Sequence, residues 1–233
     1  MHRWLAVSFA LAVPMSSIPF ATGQSNPPHQ SKNAATCGTH CGTERWAIKT
    51  LSDSGSATPA AATPTNTSVS DLALMKAPAT LPANSRIPPI ENEQFTVTAL
   101  LIAWKEESGP TGDHDFHLVL ADPNDHSKTI IAEIPDPQCS GACSSTKVNA
   151  FMAGRQVLTT ELGAAPQATT AVPVVPPRIV EVTGVGFFDF EHGQDGLAPN
   201  CIELHPVLQI TIKGKEGSSA IPLPTGVTHA CGR

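Results

Sequence analysis

Five short apolar runs, each cut off from the next by proline- or glycine-rich sequence, restrict this chain to a small β-rich core. QFTVTALLIAW (94–104), DFHLVLAD (115–122), KTIIAEIP (128–135), RIVEVTGVGFFDF (178–190) and CIELHPVLQITI (201–212) are dominated by β-branched and apolar residues, the side chains that suit a pleated, half-buried surface. The turn-rich stretches KEESGPTGD and PNDHS separate the first three runs, which reads as an antiparallel meander. The period changes only between the third and fourth runs. In SSTKVNAFMAGRQVLTTEL (144–162), Val148, Phe151, Met152, Leu158 and Leu162 fall near helical spacing, and Ser144, Ser145 or Thr146 can cap the helix. The order is three strands, one helix, two strands, which is that of the OB-fold, a five-stranded Greek-key barrel. A mainly-β, OB-like domain over 91–213 is therefore expected. A small α+β sandwich has the same element list.

The rest of the chain is poor in core-forming sequence, with many of its 22 prolines and 17 glycines. Residues 1–23 read as a signal peptide. A short basic start, MHR, precedes a ten-residue apolar core, WLAVSFALAV, and small residues near Gly23 suit cleavage. That core is shorter than the about 20 residues a bilayer span takes, and no other segment could cross a membrane. A secreted or periplasmic location follows. Residues 24–90 read as a flexible, low-complexity extension. Within it, RWAIKTL (45–51) resembles a short strand, 52–68 a mobile linker containing the glycosylation pattern NTS at Asn66, and SDLALMKA (70–77) one or two helical turns capped by Ser70. Residues 163–177 read as a second linker and 214–233 as a C-terminal tail.

Cys37, Cys41, Cys139, Cys143, Cys201 and Cys231 make an even set, and in an exported chain such a set predicts disulfides. Connectivity is open. The rival reading is metal binding by CGTHC (Cys37, His40, Cys41), but its spacing is not that of common zinc motifs. The formal net charge is -6, with no Lys/Arg run. Nucleic acid is thus not an expected partner.

The richest stretch is FFDFEHGQDGLAPNCIELHPVLQI (187–210). Strand alternation sorts its polar groups. In the fifth run Ile202, Leu204, Leu208 and Ile210 share one face, and Glu203, His205, Val207 and Gln209 the other. In the second, Phe116, Leu118 and Leu120 oppose Asp115, His117 and Val119. In the third, Ile130, Ala132 and Ile134 oppose Ile131 and Glu133. The loop after the fourth run adds Asp189, His192, Gln194 and Asp195. Good strand register would bring these groups to one face. Imidazole and carboxylate together suit zinc or manganese, with Asp115, His117, Glu133, Asp189, His192, Glu203 and His205 as candidate ligands. Without metal, His117, His192, Glu203 and His205 are the candidates for acid–base catalysis. In the plain structural alternative the strand face is solvated, His117 bonds a cross-strand carboxylate, and Asp189 caps a turn. Asp113 and His114 are expected to be solvated.

DFHLVLAD, IAEIPDPQC, VTGVGFFDFEHGQDGLAPN and IELHPVLQI, in this order, resemble a family of secreted bacterial proteins to which no activity is assigned. The resemblance covers roughly residues 46–210 and singles out His117, Glu133, Asp189, His192, Gly193, Gln194, Asn200, Glu203 and His205. It also implies glycine where this chain has Cys201, so a Cys201 disulfide is a local addition, to Cys231 or to a C-x3-C cysteine. A weaker likeness to thermonuclease-type OB barrels rests on Asp113, Asp115 and Glu133, with only Arg155 and Arg178 available for phosphate. The expected function is an exported domain that binds a metal, small molecule or surface polymer through its His/carboxylate face. The alternatives are a metal-dependent, phosphodiesterase-like hydrolase and a structural or adhesive module.

Overall fold

The computed structural model describes residues 37–39, 41–108 and 112–231. The signal peptide expected over 1–23, the start of the extension, and His40 lie outside them. In chain order the elements are α1 (Trp46–Lys49), α2 (Ala57–Ala61), β1 (Thr65–Thr67), α3 (Val69–Ala73), a 3-10 turn (Ile90–Asn92), β2 (Gln94–Glu106), β3 (Phe116–Asp122), β4 (Asp125–Ile134), α4 (Val148–Leu162), β5 (Val172–Phe188) and β6 (Ile202–Lys215).

The protein is mainly β, built on one mixed six-stranded sheet of order β1-β2-β3-β4-β6-β5. The meander β2–β3–β4 is antiparallel. β4 pairs β6 in parallel, β6 pairs β5 antiparallel, and β5 also pairs β2 antiparallel. Five of the strands overlap the apolar runs of the sequence. The sixth, β1, adds in parallel to β2 and comes from sequence expected to be linker. β5 likewise begins inside the second expected linker.

One side of the sheet carries the main core. Phe116, Leu118, Leu120, Ile130, Ala132, Ile134, Ile202 and Leu204 cluster there with Phe151 and Leu158 of α4. Burying a side chain of this size contributes about 1.5–3 kcal/mol, so this layer supplies most of the driving force for folding. α4 stops at Gly163, which has a φ of 90°, a backbone that glycine tolerates at a helix end. In β6 the two-residue period breaks. Register shifts opposite Thr183–Gly184 and Gly184–Gly186 insert extra residues into β6, and each such bulge turns the following side chains over. Val207, expected beside His205, is therefore in the core instead.

The loose extension expected over 24–90 needs correction for its described part. Trp46, Ile48, Leu51, Val69 and Leu72 are all buried. RWAIKTL contains helix α1, not a strand. Isolated short helices are marginal in water, and this one is held from outside: disulfides Cys37–Cys143 and Cys41–Cys139 flank it, and Trp46 Nε1 donates to the Ser140 carbonyl at 2.7 Å. α3 is capped by Ser68 rather than Ser70, with Ser68 Oγ accepting from the Asp71 N–H. Asn200 Nδ2 donates to the Leu72 and Met75 carbonyls, which ties the β5–β6 loop to the same segment. The third disulfide, Cys201–Cys231, secures the tail. The six cysteines are thus all paired, which leaves none for the metal reading of CGTHC.

Candidate functional site

The second side of the sheet is also covered, and the cover makes the site. β3 presents His117, β4 Glu133, and β6 Glu203 and His205. Asp115 stands just before β3. The β5–β6 loop folds over them, close enough at Gly196 that a Cβ there would collide with Val119. α1 brings in Lys49 from the other flank. His117, Glu203 and His205 are at most 1% exposed, Asp115 0% and Glu133 5%. The solvated strand face of the structural alternative is therefore excluded.

His205 is the centre. Its Nδ1 lies 3.0 Å from Glu133 Oε2 and 3.8 Å from Glu203 Oε2. Its Nε2 lies 3.2 Å from Asp115 Oδ2. Yet neither ring nitrogen makes an aligned hydrogen bond, and Asp115 Oδ2 and Glu203 Oε2 have none either. Hydrogen-bonded groups aim at one another. Ligands of one ion do not: their lone pairs converge on a point between them. Glu133 and Asp115 face opposite nitrogens of the ring, so one ion takes one of the two nitrogens, with its donors about 3.3 Å apart when bonds are about 2.0–2.1 Å. Donor atoms of Asp115, Glu133 and His205 all fall within 4.8 Å of one another, and so do those of Glu107, His117 and Glu133.

The surrounding bonds hold this geometry. His117 Nδ1 contacts Glu133 Oε1 at 2.9 Å, and His117 Nε2 donates to the Asp195 carbonyl at 2.9 Å. Asp115 Oδ1 accepts from the Asp136 N–H, and Asp113 Oδ1 from the Asp115 N–H. Phe187 meets the His205 ring edge-on, with centroids 5.5 Å apart.

The electrostatics express a demand for positive charge. Burial favours neutral His205, but Glu133, Asp115 and Glu203 outweigh it and raise its pKa well above the usual histidine value. Burial disfavours ionised Glu133, yet His205 and His117 hold its pKa well below the usual carboxylate range. Burial pushes Glu203 up to about 8, with Asp189 and Glu133 adding to it. Burial and Asp113 push Asp115 up to about 7. Asp113 itself rises to about 6, through burial and then Glu133. Too many carboxylates share too little solvent for all to ionise on their own.

Of the expected ligands, Asp115, His117, Glu133, Glu203 and His205 come together. Asp189 stands beside them, 2.8 Å from Lys49 Nζ. His192 is exposed and enters neither donor group; with Gln194, Lys49, Asp113, Glu107 and Glu133 it lines a cavity of about 210 Å³. Lys49 and Glu107 carry no site signal in the sequence, and Asp113 only the weaker likeness to thermonuclease-type barrels. Asp113, expected to be solvated, is 9% exposed and lines the same cavity as Lys49 of α1. Arg155 stacks on Phe116, 3.6 Å from the ring centroid, and donates to the His114 and Ile134 carbonyls. Arg178 donates to the Pro176 carbonyl. Neither arginine lines the cavity. No family model matches the chain, and neither a curated protein nor a solved structure matches it.

Proposed function

We propose that this protein is an exported domain that binds a divalent metal ion, zinc or manganese, through Asp115, Glu133 and His205. One observation carries the reading: one donor atom each of Asp115, Glu133 and His205, all buried, fall within 4.8 Å of one another, and neither ring nitrogen makes an aligned hydrogen bond to the carboxylate it faces. A buried polar atom left unsatisfied costs about 1–3 kcal/mol, and four of them belong to this cluster. Imidazole and carboxylate suit either metal. Glu203 lies behind His205 as a further carboxylate, and the cavity beside Glu133 leaves room for a small ligand next to the ion.

The architecture we infer around this site is a five-stranded OB-like barrel with α4 between its third and fourth strands. The support is the ring of pairings β2–β3–β4–β6–β5–β2, with β4 and β6 parallel. Three disulfides fit an oxidising compartment, and no helix among the described residues is long and apolar enough to cross a membrane. Membership of the secreted bacterial family belongs to the same proposal. Cys201 has a φ of 59°, a backbone that favours the glycine which that family carries there.

Elemental analysis of the untagged protein, followed by zinc and manganese titration, tests the reading. Stoichiometric metal that is lost in His205→Ala is expected. Absence of metal and of binding in the parent protein would overturn it.

A further inference from the structure

We propose that the cluster holds a second divalent cation, between Glu107, His117 and Glu133, with Glu133 bridging it to the ion on His205. This rests on the metal-binding reading above. His117 is fully buried on β3. Its Nε2 lies 2.9 Å from the Asp195 carbonyl oxygen, which only accepts, so Nε2 carries a ring proton. In the neutral ring Nδ1 is then a lone pair. It faces Glu133 Oε1 at 2.9 Å and Glu107 Oε1 at 3.5 Å. In the metal-free protein a second ring proton bonds Nδ1 to Glu133 Oε1, and a cation bound between these three groups takes the place of that proton. A backbone carbonyl that fixes the far ring nitrogen is also the usual support of a metal-bound histidine.

Glu133 links the two positions. Oε1 points to His117 while Oε2 lies 3.0 Å from His205 Nδ1. One carboxylate facing two donor groups is the arrangement of a bridging ligand, as in centres whose ions sit about 3.5–4 Å apart. Charge points the same way. Six carboxylates, those of Glu107, Asp113, Asp115, Glu133, Asp189 and Glu203, share two ammonium groups: Lys49, engaged by Asp189 at 2.8 Å, and Lys105, 3.2 Å from Glu107 Oε1, where a bound cation takes its place.

The positions differ in access. His205 is fully buried, whereas the Glu107 side chain is 20% exposed and lines the cavity. The second ion therefore exchanges with solvent and is the more weakly held. Its chemical class is a divalent cation that accepts mixed nitrogen and oxygen ligands, of which Mn2+ is a convenient probe.

The test is a Mn2+ titration of the purified protein, read by equilibrium dialysis and electron paramagnetic resonance. Two equivalents are expected, with the isolated-ion signal giving way to a spin-coupled one as the second binds. Glu107→Gln, at a partly exposed position, should fold normally, keep the first equivalent and weaken the second about 10–100-fold. One equivalent with an uncoupled spectrum in the parent protein would overturn this inference and leave the first metal standing. An undisturbed second equivalent in Glu107→Gln would overturn the assigned ligands. No bound Mn2+ or Zn2+ at all would overturn both readings.

Discussion

Two buried charge clusters lie within a few residues of each other along the extension, and they are finished in opposite ways. Arg45 and Glu91 have side chains 0% exposed and meet through two parallel bonds of 2.7 and 2.6 Å. Arg45 also donates to the carbonyls of Pro82, Ser85 and Phe188, and Glu91 accepts from the Ile87 and Phe188 N–H groups. Each donor and each carboxylate oxygen is used. Four residues on, Lys49 enters the His205 cluster, where both ring nitrogens and two carboxylate oxygens lack an aligned partner. Equal burial gives one closed network and one open one. A closed network is explained by folding alone, since buried charges persist only when paired. The open network has its charges paired at 3.0 and 3.2 Å but leaves buried atoms without aligned bonds, and that points to a ligand.

The largest expected effect is on the closed network. Arg45→Ala leaves Glu91 buried and uncompensated and strips three carbonyls of their donor, so it should destabilise the protein by about 3–5 kcal/mol. Denaturant unfolding checks this. The contrast sharpens with Arg45→Met combined with Glu91→Leu. Apolar replacement of a buried pair is often harmless, but here the backbone groups bonded to the pair lose their partners, so the double variant should stay well below the parent. A parent-like double variant would break the claim that this network is closed through the backbone.

Next in size is the response of the open network to metal. A ligand that binds only the folded state at 100 times its Kd stabilises by about 2.7 kcal/mol, which for a chain of this size raises Tm by about 5–10 °C. Zinc or manganese should do this to the parent protein and not to His205→Ala. Arg45→Ala, starting from a lower Tm, should show the same increment as the parent. Equal shifts in all three proteins would mean that metal acts elsewhere.

The sheet and one half of the site were legible in the sequence, and the cover was not. Alternation in β3 and β4 separated Phe116, Leu118, Ile130 and Ala132 from His117 and Glu133, and the two sides of the sheet follow that division. It also turned Glu203 and His205 away from Ile202 and Leu204. It failed at Val207 because a bulge changes the phase of a strand without a strong mark in the sequence. Lys49 and Arg45 were hidden for another reason. Their partners Asp189 and Glu91 are distant in the chain, and a charged residue beside an Ala/Thr/Pro-rich stretch reads as surface. Only the contacts of Trp46, Ile48 and Leu51 turn that segment inward, and four apolar residues in seven carry no clear period.

A smaller effect, of opposite sign to the first, comes from relieving the open network. In protein stripped of metal by chelation, Glu203→Gln should stabilise by about 1–2 kcal/mol at pH 8, since it removes a buried carboxylate with an unsatisfied oxygen. The sign varies with pH. Burial puts the folded-state pKa of Glu203 at about 8, above the about 4.3 of an unfolded glutamate. The folded state therefore holds a proton that the unfolded state has released, and the parent loses stability as pH rises between those values. Glu203→Gln lacks this loss, so the two proteins should converge near pH 4 and diverge toward pH 8. Denaturant midpoints across that range decide it. A constant difference would mean that Glu203 is already ionised and partnered in the folded state.

The smallest effect is at a closed carboxylate with no role in the site, and it supplies the opposite pH limb. Asp122 ends β3 and is buried. Burial alone would raise its pKa, but the Asn124 N–H and the Ser70 hydroxyl and N–H outweigh it and lower the value. A depressed carboxylate contributes stability that is present above its unfolded pKa of about 3.9 and is lost as pH falls through the folded value. Ser70→Ala removes the 2.7 Å hydroxyl bond to Asp122 Oδ2 and should cost about 1 kcal/mol at pH 7. The cost should shrink below pH 4, where Asp122 takes up a proton in both states. Asp122 thus weakens the fold toward acid while Glu203 weakens it toward alkali, and only the alkaline limb should vanish when metal is added. If metal flattened the acid limb as well, the ion would be binding at the Asp122 turn, and the division between closed and open carboxylates would fail.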